Sequence, residues 1–237
     1  MRLLISPQSI EEAVECVKGN ADIIDVKNPS EGSLGANFPW IIRSIRKMVP
    51  LTTPLSATVG DIAYQPGTVS LAALGAATAG ASFVKVGLYK ISTQEQGIEV
   101  MKAVKRTIEE YQLPVSVVAA GYAEGEKVGS VNPLLIPVIA AKAKCDYAML
   151  DTFDKTTRKP IFDILSTEQL ETFIETSREK NVSVALGGSI QEQHIPLLKK
   201  LQPDIVGIRG AVCDGGDREK GRIKSELIVD FSNKLRK

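Results

Sequence analysis

An aspartate and a lysine stand two residues apart at the end of the apolar run Ile23-Ile24-Asp25-Val26-Lys27, and Asn28-Pro29-Ser30-Glu31-Gly32 follows at once. In an extended strand, side chains two apart share a face, so Asp25 and Lys27 point the same way. Burying ionisable groups costs several kcal/mol in order-of-magnitude terms, so the pair is either a structural ion pair or part of a site. A second lysine, Lys85, sits inside the apolar run Phe83-Val84-Lys85-Val86-Gly87. Facing outward under covering helices it would be buried without a partner, so an inward position is expected. A third run, Tyr147-Ala148-Met149-Leu150-Asp151, ends on an acid, with Lys155 just beyond in Asp151-Thr152-Phe153-Asp154-Lys155.

Two neighbouring lysines are chemically useful. An amine must be neutral to attack a carbonyl, and a free lysine pKa near ~10.4 leaves almost none neutral at pH 7. A neighbouring ammonium and partial desolvation lower that value, which makes a lysine a Schiff-base nucleophile. Asp25 or Asp151 could then move protons. Lys155 lies in a loop, where a solvated side chain and a site residue are equally good readings.

A second signal is Leu186-Gly187-Gly188-Ser189 together with Gly207-Ile208-Arg209-Gly210-Ala211. Glycines let backbone N–H groups approach an anion, so Gly187, Gly188, Ser189, Arg209 and Gly210 are candidates for holding a phosphate. Ser189-Ile190-Gln191-Glu192 also reads as a helix cap whose positive end would face that phosphate. The plainer reading is that these glycines only make tight turns.

Strand-helix alternation must bring these residues together. Strands are expected at 3–6, 23–27, 55–59, 83–87, 115–120, 147–151, 182–186 and 205–209. Helices fall between them: one opened by a capping box at Ser9-Ile10-Glu11-Glu12, others near 39–48, 69–79, about 94–111, about 133–142 and after Ser166-Thr167-Glu168-Gln169, and a last one from about Glu219 to Leu235. Eight such units match the arithmetic of an α/β fold of the (β/α)8 or TIM-barrel type, spanning residues 1–237 as a single domain. An open doubly wound sheet is the alternative, but no Gly-x-Gly-x-x-Gly follows the first strand. In a barrel the strand ends gather at one mouth, where Asp25, Lys27, Lys85, Asp151 and Lys155 would converge. The loops 32–36 and 121–129 would flank that mouth, as lids or as ordinary connections.

Composition narrows the function classes. Of 237 residues, 43% are hydrophobic and 24% charged, which fits a globular chain, and a net charge of +1 gives no case for nucleic acid or an anionic membrane. No apolar run approaches the ~18–20 residues of a membrane-spanning helix, and no signal peptide opens the chain, so a soluble cytoplasmic protein is expected. The cysteines Cys16, Cys145 and Cys213 suggest neither a disulfide framework nor a thiolate metal site. The single histidine, His194, reads as a surface residue and cannot support a histidine-rich zinc site. Proton chemistry therefore falls to Lys, Asp, Glu or Tyr. No metal or cofactor is called for, and the partner expected is a small phosphorylated carbonyl compound, with room for a homo-oligomer. Spacing alone thus leads to a lysine-dependent aldolase on a phosphorylated carbonyl compound; a triose-phosphate isomerase-like enzyme and a non-catalytic phosphosugar-binding barrel are the rivals.

The segments Asp25-Val26-Lys27-Asn28-Pro29 with Glu31-Gly32-Ser33-Leu34-Gly35-Ala36, Phe83-Val84-Lys85-Val86-Gly87, and Leu150-Asp151-Thr152 with Lys155 resemble the (5-formylfuran-3-yl)methyl phosphate synthase family over essentially the whole chain. The resemblance implies a barrel enzyme, a lyase of methanofuran biosynthesis. Such an enzyme condenses two molecules of glyceraldehyde 3-phosphate into 4-(hydroxymethyl)-2-furancarboxaldehyde phosphate with loss of phosphate and water. It further implies Lys27 as the Schiff-base lysine and Lys85 as proton acceptor, assisted by Asp25, Asp151 and Lys155.

Overall fold

A computed structural model describes residues 1–237. Eight parallel strands close into a barrel in the order β1 to β8: Arg2–Ile5, Ile23–Val26, Leu55–Asp61, Phe83–Gly87, Ser116–Tyr122, Tyr147–Asp151, Ser183–Leu186 and Ile205–Ile208. Eight α-helices alternate with them: α1 Ile10–Lys18, α2 Pro39–Met48, α3 Pro66–Thr78, α4 Gln94–Glu110, α5 Ile136–Lys142, α6 Thr167–Glu179, α7 Ile195–Leu201 and α8 Ser225–Arg236. The expected (β/α)8 barrel is therefore the fold. No helix is long and apolar enough to cross a membrane.

Strands buried on both faces need apolar residues throughout, and these runs supply them. Outward side chains such as Val84, Val86 and Leu150 join a core of 57 buried residues beneath the helices. Inward ones such as Leu4, Phe83, Val118 and Met149 fill the barrel itself. Asp25, Lys85 and Asp151 are buried inward-facing charges that break this pattern. The register sets Asp25 beside Ser56 and Lys85 between Thr58 and Val118, two positions apart along β3 and so on the same face of the sheet.

Several helix starts depart from expectation. Ser9 does cap α1, accepting from the Glu12 N–H, but the Glu12 carboxylate does not return to close a capping box. It is drawn instead to the buried Arg209 guanidinium, a stronger charge-assisted partner than a backbone amide. Of the expected starts, the one at Ser166 closes the full box, with Gln169. Ser189 caps nothing. A 3₁₀ turn at Glu192–His194 precedes the seven-residue α7, and Gln191 and His194 cap that turn mutually. His194 is accordingly half-buried rather than a surface residue, its Nδ1 accepting from the Gln191 N–H at 2.9 Å and its ring against Phe162. The last helix begins at Ser225 rather than near Glu219, because Asp217 turns the chain by accepting from the N–H groups of Glu219 and Lys220.

Candidate active site

At the C-terminal end of the barrel, two ion pairs flank one unpaired lysine. Lys85 Nζ lies 2.7 Å from Asp25 Oδ1, both side chains almost wholly buried, and Asp25 Oδ2 accepts from Ser6 Oγ at 2.9 Å. Across the mouth, Lys155 Nζ lies 2.5 Å from Asp151 Oδ1 and donates to Thr152 Oγ1 at 2.9 Å. Lys27 is 8% exposed and meets no carboxylate within ion-pair distance; its one contact is a long bond, 3.4 Å, to the Ser33 carbonyl. The structure thus brings all five expected side chains to one end and pairs four of them.

That asymmetry sets the electrostatics. Burial is the main force lowering Lys27 to about 8, with Asp151 opposing and the Lys155 ammonium assisting. Burial alone would raise Asp151, yet Lys155 and Lys27 hold it at about 2. Asp25 follows the same logic, raised by burial but held below the ordinary carboxylate range by Lys85 and Lys27. Two firmly ionised carboxylates therefore surround one amine that readily gives up its proton.

The loop after β2 forms a strap over this amine. Ser33 Oγ donates to the Thr152 carbonyl at 2.8 Å, Thr58 Oγ1 to the Gly35 carbonyl at 2.7 Å, and the Leu34 N–H to Asp61 Oδ2 at 3.1 Å. The Asp61 carboxylate also accepts from the Tyr122 hydroxyl. Leu34 is completely buried, so residues 32–36 are a packed cover rather than a free connection. A Cβ on Gly35 would stand 2.8 Å from the Glu31 carbonyl carbon and 2.9 Å from the Gly32 nitrogen, neither of which can swing aside. Gly35→Ala is expected to lift the strap, lowering kcat/KM roughly tenfold or more while reducing stability by about 1–3 kcal/mol. Turnover and urea unfolding measured together would check this; undiminished turnover would remove the strap from the site.

The opposite loop, 121–129, braces the mouth from β5. The Glu124 carboxylate accepts from the N–H groups of Phe153 and Asp154 at 2.8 and 3.1 Å, fixing the segment that carries Lys155. Neither Asp61 nor Glu124 was legible as a site residue, because each acts by holding a distant loop.

Beyond β7 and β8 the glycines divide in role. Gly187 donates its N–H to the Leu150 carbonyl, and its missing side chain makes room for Asp151, whose carboxyl carbon would lie 3.2 Å from a Cβ. Gly188 (φ +105°) and Ser189 (φ +49°) both adopt left-handed backbone. The N–H groups of Gly188, Ser189 and Ile190 have no acceptor in the chain, and neither does the buried Ser189 Oγ. Gly210 lines the same cavity. Arg209 does not serve there as expected. Its five N–H donors are all taken, by Glu12 twice, Gln8, the Ser6 carbonyl and the Arg218 carbonyl. No cluster of three His, Cys, Asp or Glu side chains is placed to hold a metal ion.

Fold and mouth together define a (β/α)8 barrel with a cluster of lysines and aspartates at its C-terminal end. A model of the 4-HFC-P synthase family matches residues 3–232. The (5-formylfuran-3-yl)methyl phosphate synthase of Methanocaldococcus jannaschii is 53% identical over 231 residues, covering 98% of each chain. That of Methanopyrus kandleri is 50% identical over 234 residues, covering 99% of this chain and 98% of its own. Among solved structures, 3-hexulose-6-phosphate synthase from Salmonella typhimurium superposes with a TM-score of 0.68 at 19% identity, covering 99% of this chain and all of that one, a likeness of fold. The chain belongs to the 4-HFC-P synthase family.

Proposed function

We propose that this chain condenses two molecules of glyceraldehyde 3-phosphate into 4-(hydroxymethyl)-2-furancarboxaldehyde phosphate in methanofuran biosynthesis, through an imine on Lys27. The observation that carries the mechanism is that Lys27, alone among the three lysines of the mouth, is buried without a carboxylate partner. Its amine attacks the carbonyl of one triose phosphate, water leaves, and the protonated imine becomes an electron sink. Loss of the C2 proton gives an enamine whose electrons expel the C3 phosphate, leaving an enol whose terminal carbon is the nucleophile. That carbon attacks C2 of the second triose phosphate, turned from aldehyde to ketone by the same proton transfers, and ring closure with loss of water gives the furan; one phosphate and two waters balance the atoms. Lys85 first hands a proton to the oxygen that leaves as water and, now neutral, takes the carbon-bound proton. Asp25 keeps Lys85 in place, while Asp151 and Lys155 handle protons at oxygen. Gly188 and Ser189 present free N–H groups to a retained phosphate, with Gly187 and Gly210 shaping the cavity around it.

Borohydride reduction of the protein mixed with substrate should leave a stable adduct on the Lys27 peptide, read by mass spectrometry. With Lys27 at about 8, roughly a tenth of the amine is neutral at pH 7. The trapping rate should therefore rise about tenfold as pH climbs through 8, then level off. An adduct elsewhere, or none, overturns the imine. A furan chromophore in the near ultraviolet separates this reaction from a simpler aldol addition.

A further inference from the structure

Six cations line the mouth: Lys27, Lys85, Lys155, Arg158, Arg209 and Arg218. Asp25 holds Lys85, Asp151 holds Lys155, Asp217 holds Arg158 at 3.2 Å, and Glu12 holds Arg209. With Lys27 kept for the carbonyl, Arg218 is left. Its guanidinium makes no ion pair and no hydrogen bond within the chain, although it is partly buried and burial lowers its affinity for a proton. An arginine withdrawn from water without an acceptor is costly unless an anion completes it.

Where it stands points to the anion. Arg218 borders the cavity of Gly188, Ser189 and Gly210, its Cβ 3.6 Å from where a Cβ on Gly210 would lie. Three free backbone N–H groups and the unpartnered Ser189 hydroxyl open onto that cavity. These are hydrogen-bond donors without a counter-charge, and a guanidinium fork supplies it. Arg209, the arginine next to the glycines in sequence, contributes indirectly: its Nε donates to the Arg218 carbonyl at 2.9 Å, fixing the turn that aims Arg218 inward.

We infer that Arg218 is the cationic ligand of the substrate phosphate and the residue that makes the enzyme prefer a phosphorylated aldehyde over its unphosphorylated counterpart. The inference rests on the proposed reaction for the identity of the aldehyde, but not for the phosphate site itself. Arg218→Ala should lower kcat/KM for glyceraldehyde 3-phosphate about 10- to 100-fold, with Arg218→Lys recovering part of it. Borohydride trapping of unphosphorylated glyceraldehyde on Lys27 should proceed at an unchanged rate, so the ratio between the two substrates collapses. Inorganic phosphate binding to the intact enzyme, measured by calorimetry, should weaken by a similar factor. A variant that binds phosphate as tightly as the parent, or keeps its kcat/KM within twofold, overturns the assignment. If instead neither aldehyde is trapped on the parent enzyme but phosphate binding still depends on Arg218, the imine reading fails and the phosphate ligand stands.

Discussion

Lys27→Ala should bring condensation to background, a fall of at least about 10⁴-fold on the scale seen when a covalent nucleophile is removed, and should leave no borohydride adduct. The neighbours cannot substitute, since Lys85 and Lys155 are each locked to a carboxylate. Loss of the amine should also stabilise the fold. A lysine held at about 8 against an ordinary 10.5 costs the native state about 3 kcal/mol at pH 7. The sign follows from the lowered native value. Below pH 8 both folded and unfolded chains carry the proton and the penalty is complete; between 8 and 10.5 the folded chain releases it first, and stability rises with pH. Lys27→Met, which keeps the volume, should therefore unfold at higher urea than the parent at pH 7, and the advantage should shrink towards pH 10. Measurable turnover in either variant would end the case for Lys27 as the nucleophile.

Glu12→Ala should destabilise the fold more than any change at the mouth. Glu12 and Arg209 face each other at 2.7 Å with side chains only 9% and 5% exposed. The carboxylate also accepts from the N–H groups of Gln8 and Ile223. Removing it leaves a guanidinium buried without its counter-charge, a loss of about 3–5 kcal/mol, and a melting temperature lower by roughly 6–20 °C for a domain of this size. Replacing both partners by apolar residues, as in Glu12→Leu with Arg209→Met, should restore much of that stability because no stranded charge remains. It should not restore substrate affinity, since Arg218 would lose the donor on its carbonyl. Urea melts and KM measured on the same proteins separate the two effects.

The strand ends carried most of the legible chemistry. A single aspartate or lysine in an apolar run marks an inward position in a closed sheet, and Asp25, Lys85 and Asp151 were found that way. Lys155, ambiguous as a loop lysine, is fixed by a loop contact from Glu124 that no local pattern encodes. Arg209 misled because adjacency to glycines suggested an anion, whereas its partner Glu12 lies 197 positions away. Arg218 escaped notice for the converse reason, lying in a stretch that resembled the start of α8. What sequence periodicity reports is which face of an element is buried; which charges meet there depends on the closure of the sheet.

The Glu12–Arg209 contact joins the first helix to the residue after the last strand. During synthesis this stitch has to wait. At ~5–20 residues per second, the interval between the two partners leaving the ribosome is on the order of 10–40 s. Until β8 docks on β1, the barrel has two open edges, and the cavity bordered by Gly188 and Ser189 lacks the wall that Gly210 and Arg218 supply. Burial is the main force lowering Lys27, so its shifted affinity for a proton is expected only once the ring has closed around it.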